Sequence, residues 1–339
     1  MPADLKDVAA LAGVSTATVS RVLNNPEVVT PSTRKKTEAA IEKSGYIPNI
    51  NAKRLRTQKS RAILVVVPDI ADPFCATVVR GVENTAADLG YVMLLGDTQA
   101  EARRARIYAS MVRSAHVDGL LYLSIRAPYE LPGADKLTRT ESPIVNICNY
   151  TNDHFPTVGI DNVAAARAAV EYLIHLGHRR IAAIAGLPQH PETKLRLTGF
   201  RDAVAAHGIP AANAPVAHGD FSFESGIVAC DMLLNSVGPR PTAIFCHNDR
   251  MALGAMQSLW RKSIQVPRDI SIVSFDNLDS VRFSCPPLTT IAQPMYDIGV
   301  CAMTTLDHVI HGKQLISVQQ VLPVELVVRE STAPPHSFG

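Results

Sequence analysis

Between Ser15 and Asn24 the chain concentrates side chains suited to one kind of chemistry. Ser15, Thr18, Ser20 and Asn24 are short hydrogen-bonding groups of the sort that hold phosphate oxygens, and Arg21 can meet guanine O6 and N7 with two bonds at once. The first 60 residues carry ten Lys or Arg against five Asp or Glu, while the rest holds 23 basic and 26 acidic residues. A basic segment on a slightly acidic body suits a polyanionic partner, although a solvated charged face explains the charge equally well. Other chemistries find no footing. There is no GxGxxG after the first apolar run, and no GxxxxGK[ST], HExxH or GxSxG. His175 and His178 stand three apart with no acid at matching spacing, so no metal pair is expected. No catalytic residue, metal site or cofactor emerges.

The elements that must position residues 15–24 are written locally. Leu5, Val8, Ala9 and Ala12 recur at helical spacing, and Gly13 ends that helix. Ser15 is placed to cap a second helix in which Val19, Val22 and Leu23 share the packed face. Thr16, Ala17, Ser20 and Arg21 then turn outward. A third helix is expected from a Thr30 cap and Pro31 to Ser44, stopped by Gly45, with Ala40 and Ile41 on its buried side. Three short helices with a tight Gly turn form a helix-turn-helix unit, or equally a small bundle with a solvated face.

From Arg61 the texture changes. Ala62–Val67 is an uninterrupted apolar run, as in a buried parallel strand, and strand and helix signals alternate after it. Strands are expected at 91–95, 119–123, 143–147, 180–185, 242–246 and 270–275. Helices are expected near 74–89, 100–115, 162–176, 194–207, 223–235, 248–262 and 295–311. These are too many strands for one sheet, so two doubly wound subdomains with a cleft between them are expected. At 339 residues, with 47% apolar and 19% charged residues, the chain can bury a sizeable core. One Trp and 5% aromatics argue against a base-stacking single-strand binder. No apolar run spans a membrane, no signal-peptide pattern opens the chain, and the six Cys include no CxxC pair. A reduced, cytoplasmic protein is expected, which argues against a secreted solute-binding protein.

The string Lys6-Asp7-Val8-Ala9 through Ala12-Gly13-Val14-Ser15 to Thr18-Val19-Ser20-Arg21-Val22-Leu23-Asn24 resembles the headpiece of the LacI/GalR family of bacterial transcription regulators. The resemblance extends through Tyr46-Ile47-Pro48-Asn49, Val158–Asn162, Gly177–Ile181, Arg196–Phe200, Asn248–Gly254, Phe275–Asn277 and Pro287–Ile291. It implies a helix-turn-helix headpiece (1–46), a hinge helix (47–60) and a periplasmic-binding-protein-like effector core (61–330), followed by a tail (331–339). Within the core it implies one subdomain of about 61–161 with 292–322, and a second of about 162–291 with 323–330. It further implies that Thr16, Ala17 and Arg21 read base edges, with Ser15, Thr18, Ser20, Asn24 and Tyr46 at or near phosphates, and that Asn49 also binds DNA. Ala52 and Leu55 fall on the hinge helix, where the leucine wedges into the minor groove beside Lys53, Arg54, Arg56 and Lys59. An ordinary linker with an incidental Leu is the alternative. An isolated hinge this short is unstable, which fits folding upon DNA.

For the core, the resemblance assigns effector contacts to Arg196, Asn248 and Asp276. Phe74, expected on the loop after the first core strand, and Phe221 suit stacking on a ring, or are core aromatics. Ser124, His190 and Glu192 fall on loops that either face the cleft or simply lie on the surface. The segments Val65–Ile70, Gly219-Asp220-Phe221, Ala243–His247 and Ile291–Pro294 are most similar to the cytidine-repressor type. The implied protein is a repressor on near-palindromic duplex DNA, a homodimer, responsive to a nucleoside or related base-bearing compound. A sugar is the competing effector. The tail holds two prolines and no heptad, which favours a dimer over a tetramer.

Overall fold

The computed structural model describes residues 3–46, 60–99, 101–113, 116–123, 143–148, 155–236 and 238–336. Residues 1–59 and 60–339 are two separate compact units. Among the described residues no helix is long and apolar enough to cross a membrane.

The first unit contains α1 (Leu5–Ala12), α2 (Thr16–Asn24) and α3 (Pro31–Ser44). Asp4 and Asp7 form a reciprocal capping box at the start of α1, and Gly13 ends it at φ 66°, where a Cβ would be strained. The Ser15 hydroxyl accepts the Thr18 N–H at 3.1 Å, as a cap should. Thr30 stands at the cap position of α3 but gives no capping bond; its hydroxyl donates instead to Thr33 Oγ1. Val8, Ala9, Val19 and Ala40 form the small core, with Leu23, Ile41 and Tyr46 packed half-buried around it.

The second unit holds two six-stranded sheets. The first is built from β1 (Ala62–Val67), β2 (Val92–Asp97), β3 (Gly119–Tyr122), β4 (Ile144–Ile147), β5 (Thr157–Ile160) and β11 (Gln319–Leu322). Its order is β11-β5-β4-β3-β1-β2, with every pairing parallel. The second contains β6 (Ile181–Ala185), β7 (Val216–His218), β8 (Ala243–Cys246), β9 (Ser271–Asp276), β10 (Thr289–Ala292) and β12 (Glu325–Val327). Its order is β12-β10-β9-β8-β6-β7, parallel except at β12. The strands at 157–160, 216–218, 289–292, 319–322 and 325–327 exceed the sequence expectation. Each has only three or four residues, too few for a periodic signal, and exists because a neighbouring strand pairs with it.

The helices are α4 (Pro73–Asp88), α5 (Ala102–Arg113), α6 (Asn162–His175), α7 (Pro191–Ala206), α8 (Phe223–Leu234), α9 (Asp249–Arg261) and α10 (Met295–Ile310). The helix expected from 194 starts three residues earlier, because Pro191 suits a first turn. Helix pairs approach closely at glycines. A Cβ on Gly299 of α10 would lie 2.9 Å from Val82 N of α4, and one on Gly199 of α7 would lie 2.9 Å from Arg167 N of α6. Both sheets reverse their winding next to their first strand, between β1 and β3 and between β6 and β8. In such sheets ligands collect beyond the carboxyl ends of the strands at that switch.

Candidate functional site

In the first unit, α2 presents Ser15, Thr16, Ala17 and Arg21 to solvent. Ser20, expected to turn outward, is half-buried, and so is Thr18. Asn24 is partly committed: its Nδ2 donates to Ser20 O at 2.7 Å and stands 3.4 Å from Ser20 Oγ, while Oδ1 stays open to a donor. Ser15 Oγ and Thr18 Oγ1 share one hydrogen bond at 2.9 Å, which fixes both hydroxyls at the helix N-terminus. Tyr46 packs against the headpiece core with part of its ring exposed. Asn49, Ala52 and Leu55 lie outside the described residues.

The second unit encloses a cavity of about 730 Å³, counting the part open to solvent. Nearly every residue lining it sits just beyond the carboxyl end of a strand. After β1 come Asp72, Phe74 and Cys75, after β4 Cys148, and after β5 Asn162. From the second sheet come His190, Glu192 and Arg196 after β6, Phe221 after β7 and Asn248 after β8, with Asp276 ending β9 and Gln293 following β10. Seven of the eight candidate effector residues thus share one cavity. The eighth, Ser124, lies outside the described residues. Phe74, expected on the loop after the first core strand yet also at the start of the helix near 74–89, is in the helix: Asp72 caps α4 by accepting the Phe74 N–H at 2.9 Å, which places Phe74 in the first turn. Glu192 likewise belongs to the first turn of α7.

The polar wall is densely tied. Arg196 is buried, with Nε donating to Asn162 Oδ1 at 2.8 Å, Nη1 donating to His247 O, and its guanidinium 3.7 Å above the Phe275 ring. Nη1 also stands 3.9 Å from Asp276 Oδ1. Burial pushes the Asp276 carboxyl well above the usual range, and the nearby Arg196 charge opposes that shift. Gln293 Nε2 donates to Asp276 Oδ1 at 2.7 Å. Asp276 and Asn277 both take left-handed backbone, at φ 113° and 64°. Such strain persists where surroundings enforce it, and here Arg329 Nη2 donates to Asn277 Oδ1 at 2.7 Å. Asn248 caps α9 with Oδ1 and donates from Nδ2 to Phe221 O at 3.0 Å, so much of its amide is spent on the protein.

The aromatic wall is Phe74 and Phe221, the latter edge-on to His190 with ring centroids 5.1 Å apart. His190 Nδ1 is 3.3 Å from Glu192 Oε2. Asp72 reaches across from α4 to Arg250 of α9 at 3.7 Å. Cys75 and Cys148 also line the cavity, but burial raises both thiols, Cys148 to about 12, so neither is a ready nucleophile. Among the described residues no cluster of His, Cys, Asp or Glu could hold a metal ion. Asn162 and Gln293 lie within motifs of the sequence that carry no role for them, and Asp72 is likewise without an assigned role there. Their common signal is position: each closely follows a strand.

A helix-turn-helix unit combined with a two-sheet α/β unit whose strand ends enclose a ligand-sized cavity is the architecture of a DNA-binding transcriptional regulator. The model for "Bacterial regulatory proteins, lacI family" matches residues 4–49, and that for "Periplasmic binding protein-like domain" matches residues 170–332. The chain is 42% identical over 331 residues to the HTH-type transcriptional repressor CytR of Escherichia coli (strain K12), covering 97% of this chain and 96% of that protein. It is similar to the crystal structure of the Lac repressor dimer bound to operator and an anti-inducer, with TM-score 0.86, 30% identity, and coverage of 98% of this chain and 100% of that one. It is also similar to the transcriptional regulator CelR in complex with cellobiose, with TM-score 0.72, 32% identity, and coverage of 97% and 99%. The chain belongs to the lacI family of bacterial regulatory proteins and is a transcriptional regulator, not an enzyme.

Proposed function

We propose that this protein is a homodimeric repressor of a near-palindromic operator, controlled by a nucleoside or related base-bearing ligand in the cavity. The observation that carries the ligand reading is the mixed wall: a cation, a carboxylate and amides to meet ribose hydroxyls or base edges, beside two aromatic rings. On the DNA side, Thr16, Ala17 and Arg21 meet base edges, with the α2 hydroxyls, Asn24 and Tyr46 near phosphates and Asn49 also binding DNA. Ala52 and Leu55 pair with their dimer mates and wedge open a minor-groove step. Ser124 joins the ligand contacts. Ligand binding alters the angle between the two sheets' lobes and thereby the spacing of the paired hinges, for a coupling of about 1–3 kcal/mol.

Dimerisation is supported by exposed apolar side chains on the second lobe: Val228 and Met232 one turn apart on α8, Trp260 on α9, and Phe283. A sugar effector is the second reading, since arginine, carboxylate and amide groups also satisfy sugar hydroxyls, and the similar CelR is a cellobiose complex. The test is a gel shift on duplex DNA with and without ribonucleosides and sugars. Sequence-specific binding altered by a nucleoside supports the proposal. Binding altered only by a sugar, or by no small molecule, refutes the ligand reading.

A further inference from the structure

Phe221 is held by more than its neighbours in the cavity wall. Its backbone sits at φ 72°, its carbonyl accepts the Asn248 amide, and the next residue, Ser222, caps α8 by accepting the Ser225 N–H at 3.1 Å. The main chain therefore cannot slide. The ring tip points at Gly186, just past the end of β6, which does not itself line the cavity. A Cβ on Gly186 would lie 2.5 Å from both Cε1 and Cε2 of Phe221, and closer still to Cζ. The Gly186 φ lies outside the left-handed region, so what matters there is the missing methyl and not an unusual backbone. The Gly186 carbonyl is fixed as well, accepting a bond from His218 Nδ1 at 2.9 Å.

We propose that Gly186 determines ligand specificity from behind the wall: by leaving room for the tip of Phe221, it sets how deep a base can sit against that ring. This rests on the cavity being the ligand site. A methyl at position 186 has two fixed backbones around it and His190 flanking the ring, so the ring itself must give way by about 1.5–2 Å to restore ordinary contact. The open direction is the cavity. The rotation is cheap because Cζ is the free end of a side chain, so ligand binding changes far more than folding does.

The test uses the full-length wild type, G186A, F221L and the double variant G186A/F221L. Binding of the four common ribonucleosides and of free ribose is measured by calorimetry, and the G186A ring position by crystallography. We expect the nucleoside bound by wild type to bind G186A at least about tenfold more weakly. We also expect G186A/F221L to bind no worse than F221L, because the shorter Leu clears the methyl; a merely structural glycine would not show that dependence. If G186A does not fold, the double variant carries the same comparison. The proposal alone is overturned if wild type binds while G186A binds within about twofold of it. An unmoved ring, or a double variant weaker than F221L, overturns it too. A wild type that binds none of the nucleosides overturns the base-bearing-ligand reading and this proposal with it.

Discussion

Asp249, in the first turn of α9, is fully buried, and three donors converge on its carboxylate: the Ser274 hydroxyl, the Leu278 N–H at 2.6 Å and the Thr290 hydroxyl at 2.9 Å. Burial is the largest influence and pushes the carboxyl up to about 6 from an ordinary 3.8, while the hydrogen bonds and the Arg329 charge act in the other direction. The folded protein thus holds this proton more tightly than the unfolded chain does. Asp249 contributes its full stability below pH 3.8 and loses it as pH rises through about 6. At 1.36 kcal/mol per unit, the whole window is worth about 3 kcal/mol, and the part between pH 4.5 and 7 about 2 kcal/mol.

Asp249→Asn removes the titration but keeps the network. Its oxygen can accept the Leu278 N–H while its nitrogen donates to the two hydroxyls. Those hydroxyls have alternative acceptors in Thr289 O at 3.4 Å and Ile291 O at 3.5 Å. Asp276, which the Asp249 charge raises further, shifts the comparison in the same direction. Urea unfolding at pH 4.5 and pH 7 should show wild type losing about 2 kcal/mol more than the variant over that interval. Parallel pH dependence in the two proteins would refute the reasoning. So would a variant already weaker by more than about 2 kcal/mol at pH 7, because the network would then need the charge.

Arg21→Ala should cost about 1–3 kcal/mol on the operator and relax preference at one base pair per half-site; a uniform loss across unrelated duplexes would make Arg21 a phosphate contact instead. Gly299→Ala forces α10 away from the α4 backbone and should lower stability by about 1–3 kcal/mol, read as an earlier urea midpoint with an unchanged slope. Asp72→Asn keeps an N-cap for α4 but removes the ion pair to Arg250 of α9. It should change the effector concentration needed in a gel shift by a few fold, about 0.5–1 kcal/mol, with a matched change for Arg250→Gln.

The headpiece was legible because its determinants are local. Gly13, Ser15 and the spacing of Val8, Val19 and Ala40 act within one or two turns, and the structure has α1 and α2 where those signals put them. The long apolar runs at Ala62–Val67 and Ile181–Ala185 likewise announce buried parallel strands without help from distant residues. Thr30 shows the limit even there, because a suitable hydroxyl next to Pro31 found Thr33 instead of the backbone.

In the core, the sequence by itself determined the βαβ rhythm and, through family resemblance, most of the polar residues that meet in the cavity. Tertiary structure decided the rest. Strands of three or four residues such as β7 and β12 form only where a partner supplies the ladder. Asn162 and Gln293 became cavity residues because Arg196 and Asp276 reach them across 34 and 17 positions of chain. The left-handed backbone at Phe221, the carboxyl of Asp276 raised by burial and the empty place at Gly186 depend on contacts between segments far apart in the chain. No local pattern encodes such contacts, since a side chain's burial and partners exist only once the sheets have closed around it.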